Sequence, residues 1–408
     1  MSLEQYHDFA TDLAVRAGAL LCQSAFTRAQ AGYCPPSPTT SLPSSTDNTA
    51  ALNIKDKDSS VDVVTDTDIA VENFIIGEIK RRFPEHRILA EETYAAGGSK
   101  KFELGDEPTW IVDPLDGTVN YVHLFPLICI SIGLTINKHP VVGAIYAPLL
   151  GGFDVRASRG TLWSSCQGLG AFQSFPRTDN PTTHTLSWLQ RHAHGLRRSP
   201  STGPEAQDDL GDNPRPLRLP LSPLRLLSET APSGLLVASE WGKDRRPSPE
   251  GNLMRKANTF LNLASSRSGI DNGQGGRKGG GVQVHGIRSL GSAALDLAYC
   301  ASGSVDVFWE GGCWEWDVCA GLAILYEAGG MATDANAPPP GSRFWDANED
   351  VPAASLGARR FLCIRPCCDN DKTGETAKEA QRRVARGVWK ALDQGGLDYN
   401  REGVTYAE

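Results

Sequence analysis

Residues 110–126 read WIVDPLDGTVNYVHLFP. The apolar run Trp110-Ile111-Val112 predicts a buried strand, and it stops at Asp113, Pro114, Leu115 and Asp116 before Gly117-Thr118. Pro114 biases Asp113 toward extended backbone and away from helix. Leu115 turns the chain, and Gly117-Thr118 can open a helix. In that arrangement the Asp113 and Asp116 carboxylates converge while the Leu115 carbonyl faces the same way. Two carboxylates and a backbone oxygen make a hard-oxygen site of the kind Mg²⁺ prefers. The unpaired N–H groups of a helix start at Gly117 and Thr118 offer an adjoining seat for a phosphate. The plainer alternative is turn chemistry, because Asp before Pro and Asp-Gly are common turn sequences. Other acids at element boundaries weigh against it. Glu91-Glu92 ends the short strand RILAEE, and Trp316-Asp317 begins a helix far downstream. Carboxylates gathered in one place repel each other unless a cation sits among them.

Around this motif the chain alternates loosely between helix and strand. Leu3, Phe9, Leu13, Ala17, Leu20 and Leu21 fall near helical spacing and predict a helix over about 3–29. DTDIAVENFIIGEIKRRF (66–83) predicts a second helix, ended by Pro84. LICISIGLTI and PVVGAIYAP, separated by NKH, read as paired strands, and SGLLVASEW (233–241) and SVDVFWE as further strands. SLGSAALDLAYCASG and WDVCAGLAILYEAGG read as helices, the latter closed by Gly329-Gly330, and 372–393 as a last amphipathic helix. Mixing without strict alternation predicts α+β layers. CPPSPTTSLPSSTDNTA (34–50), most of 176–232 and SGIDNGQGGRKGGG (268–281) are too polar or too rich in Pro and Gly to pack, and read as loops. The division expected is an N-terminal α+β domain over 1–175, an inserted mobile loop over 176–232, and a C-terminal α/β domain over 233–408.

A chain of 408 residues favours two domains. Its net charge of −8 argues against non-specific nucleic-acid binding. The ten cysteines are scattered without a CxxC pair, which speaks against a zinc site or a disulfide framework. No apolar stretch reaches membrane-spanning length, and the first thirty residues lack a leader's pattern, so the cytoplasm is the default compartment. His123 reads as a packed, hydrogen-bonded side chain, and Glu327 as a structural hydrogen-bonding group. Trp309, Trp314 and Trp316 read as core, and the Arg-rich stretches 196–198 and 245–246 as solvated faces.

DPLDGTVNYVHLFP, preceded by DVVTDTD and AEE and followed by SLGSAALDLAYCASGSVDVFWEGGCWEWDVCAG, resembles the inositol monophosphatase family of Mg²⁺-dependent, lithium-sensitive phosphatases. The Asp-Pro-x-Asp-Gly-Thr element is common to a superfamily that includes fructose-1,6-bisphosphatases and bisphosphate nucleotidases. Asn120-Tyr121-Val122-His123 with Phe125-Pro126 points to the inositol monophosphatase branch, and GGCWEWDVCAG resembles a fungal-type subgroup. The resemblance covers most of 3–175 and 233–370. It implies a layered αβαβα sandwich, two or three Mg²⁺ ions, a small phosphorylated polyol as substrate, and a homodimer.

Carried over position by position, the resemblance implies that Glu91, Asp113 and the Leu115 carbonyl hold one metal, and Asp113, Asp116 and Asp317 a second. Glu91 and Glu92 are both available, and the interval from Asp68 fits the family's pattern at Glu91. Gly117 and Thr118 would hold phosphate through their backbone. Asp68 and the Thr118 hydroxyl would orient the attacking, metal-activated water. Ala293 and Glu310 would contact the alcohol, Glu310 accepting hydrogen bonds from ring hydroxyls, and Lys57 would approach water at the metal. Asp116 and Asp317 flank the substrate as well. The activity implied is hydrolysis of inositol monophosphate or a related polyol phosphate. The alternatives are another sugar-phosphate or bisphosphate-nucleotide phosphatase, or a non-catalytic regulatory homologue linked to quinate catabolism. Ala90 departs from the family's usual glycine, and the loops at 176–232 and 268–281 are longer than the family's.

Overall fold

The computed structural model describes residues 1–31, 55–59, 62–97, 104–152, 159–176, 216–221, 223–246, 251–267, 281–401 and 404. The strand expected at 110–113 is β4, Thr109–Asp116, preceded by β1 (Lys55–Ser59), β2 (Asp62–Val64) and β3 (Arg87–Ala90). Its unbroken apolar run has a simple cause: helices cover both faces of the sheet, so neither set of alternating side chains meets water. β5 (Cys129–Ile136) and β6 (His139–Ala147) follow as an antiparallel hairpin. Its two turn residues, Asn137 and Lys138, both have positive φ, the geometry that matches the twist of paired strands. With β7 (Thr161–Cys166), β8 (Gly170–Ser174) and β9 (Leu217–Arg218) they complete a seven-stranded sheet in the order β3-β4-β5-β6-β7-β8-β9.

A second sheet has the order β11-β10-β12-β14-β13, formed by β10 (Leu236–Ala238), β11 (Gly286–Arg288), β12 (Val307–Gly311), β13 (Met331–Thr333) and β14 (Arg360–Ile364). Three apolar clusters hold the layers together. The long helix α1 (Leu3–Ala31) and α2 (Asp66–Arg82) bury Leu13, Ile75 and Ile79 against Trp110, Ile130 and Tyr146 on the outer face of the first sheet. Helices α6 (Ala293–Ser302) and α7 (Glu315–Glu327) lie between the sheets, in a cluster with Ile111, Ile145, Phe308 and Phe361. Helices α5 (Asn252–Ala264) and α8 (Ala377–Ala391) cover the far face of the second sheet, where Leu263, Val384 and Trp389 meet Val307, Trp309 and Leu362. The layer order is α, β, α, β, α, as the resemblance implied.

The close seating of α7 has a local cause. Gly133 and Gly143 face each other across β5 and β6. A Cβ on Gly133 would lie 2.5 Å from Cys319 Sγ, and one on Gly143 would lie 2.3 Å from the Ala320 carbonyl oxygen. The bare backbone lets the helix lie on the sheet, and Ser131 Oγ donates to the Trp316 carbonyl at 3.0 Å. That contact sets the first turn of α7 beside the end of β4.

Several expectations shift. The strand RILAEE ends at Ala90, and Glu91 opens a short helix, α3 (Glu91–Gly97). The strand expected over 233–241 shrinks to β10. Of 176–232, residues 177–215 and 222 lie outside the described residues. Its last part is packed: β9 pairs with β8, and Leu219 and Leu227 are buried. The stretches 34–50 and 268–280, Arg197-Arg198 among 177–215, and the Lys57 side chain also lie outside the described residues. His123 is exposed rather than packed, because it caps the short helix α4 (Thr118–Val122) at the surface. No helix among the described residues is long and apolar enough to cross a membrane.

Candidate metal centre and active site

Three distant segments bring carboxylates to one point. Glu91 opens α3, Asp113 lies near the end of β4, and Asp317 sits in the first turn of α7. Each offers an oxygen within 4.8 Å of the others. The two β4 acids owe their placement to an irregular pairing: Asp113 faces Ser131 and Asp116 faces Cys129, with a bulge between them. A bulge bends a strand and re-aims its side chains. Asp113 Oδ1 accepts the Leu115 N–H at 2.9 Å, and Asp317 Oδ2 accepts the Trp314 N–H at 2.7 Å.

Burial pushes the Asp113 carboxyl well above its usual range, and the charges of Glu91, Asp116 and Asp317 add to the rise. Asp317 is raised by burial, then by Asp116 and Glu91, against the Trp314 N–H and the charge of Lys243. Asp116 is pushed up to about 6 by burial, opposed by hydrogen bonds from Ser292 and Ala294. Mutual repulsion in a shielded place is what a divalent cation relieves. An all-carboxylate donor set suits a hard cation such as Mg²⁺. The residues therefore fit a metal.

Asp116 stands slightly apart from that group. Its Oδ2 accepts the Ser292 hydroxyl at 2.6 Å and the Ala294 N–H at 2.8 Å, which ties β4 to the start of α6 beside half-buried Ala293. A carboxylate at a helix N-terminus is stabilised by the orphan donors there. Gly117 follows with φ of +89°, and a Cβ would meet the Leu127 carbonyl oxygen at 2.9 Å and the Gly291 carbonyl oxygen at 3.1 Å, so glycine is required. α4 begins at Thr118.

The Thr118 hydroxyl lies 3.1 Å from Asp68 Oδ1 and 3.2 Å from the Leu115 carbonyl, both acceptors for its single proton. Asp68 is buried in the first turn of α2, where Oδ2 accepts the Thr65 N–H at 2.9 Å in a capping box. Burial pushes it up to about 6, against the Thr65 hydrogen bonds and with the charge of Glu91 adding to the rise. One turn further along α2, Glu72 accepts the N–H groups of Glu92 at 2.7 Å and Thr93 at 2.8 Å. It thereby fixes the start of α3, and with it Glu91. Sequence reading missed Glu72, although its place four residues after Asp68 puts both acids on one side of α2.

Glu310 does not fit the role the resemblance implied. It is 2% exposed on β12, and both of its oxygens are engaged by protein groups. Lys256, with 0% exposure, donates to Oε1, as does the Gly311 N–H at 2.9 Å, and the Glu240 N–H donates to Oε2 at 2.6 Å. A carboxylate engaged in this way holds β10, β12 and α5 together. Lys256 comes from a segment 54 residues away, and no local signal announced it. Glu240, half-buried, accepts from the Ser289 hydroxyl at 2.6 Å and the Leu290 and Gly291 N–H groups at 2.6 and 2.8 Å, and so shapes the loop ahead of Ala293.

Other readings fare better. Glu327 accepts the Gly168 and Gly170 N–H groups at 3.1 and 3.0 Å, a structural role. Trp309 and Trp316 are buried, and Trp314 is half-buried and stacked on Trp316. Arg246 is an exposed side chain paired with Asp244.

The five-layered fold thus gathers acids from β4, α3 and α7 beside a Thr-Asp pair. Residues 3–362 match the model of the inositol monophosphatase family, and the chain belongs to that family. It is 40% identical to "Protein qutG" of Emericella nidulans, over 98% of this chain and 96% of that protein. It is also 40% identical to "Quinic acid degradation cluster protein x" of Neurospora crassa, over 98% and 97%. "Inositol monophosphatase 2" of Saccharomyces cerevisiae is 32% identical over 84% of this chain and 87% of that protein. The solved inositol monophosphatase from Anabaena (Nostoc) sp. PCC 7120 superposes with a TM-score of 0.54 at 25% identity, covering 96% of this chain and 98% of that one.

Proposed function

We propose that the chain hydrolyses a phosphate monoester of a small polyol in a Mg²⁺-dependent reaction, inositol monophosphate being the leading candidate. The observation that carries this reading is the convergence of Glu91, Asp113 and Asp317 within 4.8 Å from three separated elements. These three, with Asp116 and the Leu115 carbonyl, would hold the ions. When bound, Mg²⁺ lowers the pKa of water and stabilises charge on the phosphoryl and leaving oxygens.

The chain's own groups supply the orientation. The Thr118 hydroxyl donates its proton to Asp68 and so offers a lone pair to the attacking water, aiming that water along a fixed line. Asp68 accepts the displaced proton through Thr118. The first-turn N–H groups at Gly117 and Thr118 receive phosphate oxygens. Ala293, at the start of α6 next to the Asp116 contacts, remains as the alcohol-side residue now that Glu310 is engaged elsewhere.

The test is phosphate release by the purified protein with inositol 1-phosphate, fructose 1,6-bisphosphate and 3′-phosphoadenosine 5′-phosphate, with and without Mg²⁺. Release should be Mg²⁺-dependent and fastest with inositol 1-phosphate. Preference for a bisphosphate would move the assignment within the superfamily. A second reading, a regulatory protein of quinate catabolism, draws on the name of the Neurospora crassa relative. Silence across the whole panel at saturating Mg²⁺ would favour it.

A further inference from the structure

The family match ends at residue 362, yet the chain continues through α8 and a tail that returns to the metal centre. That tail is fastened along its path. Leu397 exchanges hydrogen bonds with Asn336 at 2.7 and 2.9 Å, and Asp398 does so with Asn252 at 2.8 and 3.2 Å. The Tyr399 ring then lies over the Gly311-Gly312 turn, where a Cβ on either glycine would come within 3.2 Å of it. Arg401 follows, 8% exposed.

Among the described residues its guanidinium bonds to two different elements. Nη1 donates to Glu315 Oε1 at 2.5 Å, and Nη2 donates to the Tyr94 hydroxyl at 2.9 Å. Glu315 opens α7 two residues ahead of Asp317, and its side chain is 1% exposed. Tyr94 lies three residues after Glu91 in α3, on the same side of the helix. The guanidinium also sits 4.9 Å from the centroid of Trp314, whose ring stacks on Trp316, while Tyr94 packs against both indoles. A planar fork is preorganised to hold two acceptors in a fixed relation, with less freedom lost per bond than a lysine.

We propose that Arg401 is a positioning residue for the metal centre: the tail past the family match uses it to clamp α3 to α7 and so fixes the distance between Glu91 and Asp317. The inference rests on the metal-dependent reading above. Outer groups that hold ligands in place contribute about 10- to 100-fold to metal affinity. Loss of the clamp lets the two acids relax apart under their mutual repulsion, at a cost in affinity rather than in chemistry once the ions are in.

The test is calorimetric titration of the metal-free full chain with Mg²⁺, alongside kinetics of phosphate release. Arg401→Ala should weaken Mg²⁺ binding about tenfold or more and raise the Mg²⁺ concentration for half-maximal rate by the same factor, with kcat at saturating Mg²⁺ within about twofold of the parent. Arg401→Lys should recover only part of the affinity. Should Arg401→Ala fail to fold, Tyr94→Phe removes one hydroxyl from a half-buried ring and leaves Glu315 paired, and it should weaken binding by a smaller factor. Unchanged Mg²⁺ affinity in the folded variants, even with a lower melting temperature, reduces Arg401 to a structural contact and overturns the proposal. No Mg²⁺ binding by the parent protein brings down the metal-dependent reading itself, and the clamp with it.

Discussion

Two sets of buried or half-buried acids sit within the same layers and are treated in opposite ways. Glu310 meets Lys256, Glu315 meets Arg401, Asp334 meets Arg360, and Asp306 meets Arg365. At the end of β4 and the start of α7, Asp113 and Asp317 accept backbone N–H groups and make no ion pair among the described residues. Removing charge from water is costly unless a partner compensates it. In the first set the chain supplies the cation from its own sequence. For Asp113 and Asp317 the compensation proposed above is a divalent ion from solution. The contrast explains how Glu310 and Asp317, seven residues apart and both near the same turn, have separate roles.

The contrast breaks first at Asp113. Asp113→Asn should lower Mg²⁺-dependent phosphate release by about a thousandfold or more, while the melting temperature of the metal-free protein stays level or rises because one repelling charge is gone. Near-parental turnover at saturating Mg²⁺ would remove Asp113 from the metal site. Lys256→Met should do the reverse. It leaves Glu310 buried without its cation, at a cost of at least about 3 kcal/mol in urea unfolding that Mg²⁺ does not restore. A stability equal to the parent's would erase the distinction between the two sets.

A smaller effect sharpens the site from within. Asp68→Asn keeps the shape of the α2 cap but cannot take the proton passed by Thr118, and kcat should fall about a hundredfold with little change in Mg²⁺ affinity. Loss of affinity in place of rate would recast Asp68 as a metal-side group. Last comes the pH dependence of the metal-free protein. Asp68 and Asp116 are raised from 3.8 to about 6, so the folded state binds more protons than the unfolded chain between those values. Stability therefore falls as pH rises through that window. The thermal midpoint should drop by several degrees from pH 5 to pH 7, and Mg²⁺ at pH 7 should recover most of it. A midpoint that climbs with pH and ignores Mg²⁺ would mean that these acids are compensated from within the protein.

Short-range chemistry made much of the site legible. The Asp-Pro-Leu-Asp-Gly-Thr order places a strand end, a bulge and a left-handed glycine within six residues, and each step follows from the residue types present. Asp68 was legible through the family pattern, and the capping box explains why an acid suits that place in α2. Glu310 shows where this kind of reading stops. Its neighbours in sequence match the family, but its role turns on Lys256, which arrives from α5 in another layer. Glu72 and Arg401 were missed for the same reason, since each acts on a helix start that its own neighbourhood does not contain. The packed part of 216–232 was hidden by composition, because prolines and charges there accompany a few buried leucines.

By itself the sequence determined the layered α+β character and the glycine at 117, because hydrophobic period, proline and φ constraints act over a few residues, while the acids that converge were named through the family resemblance. Tertiary structure alone decided which acids gather together and which are matched by a cation inside the protein. That choice depends on which cation lies within a few ångströms, a distance set by the packing of helices on sheets and carrying no trace along the chain.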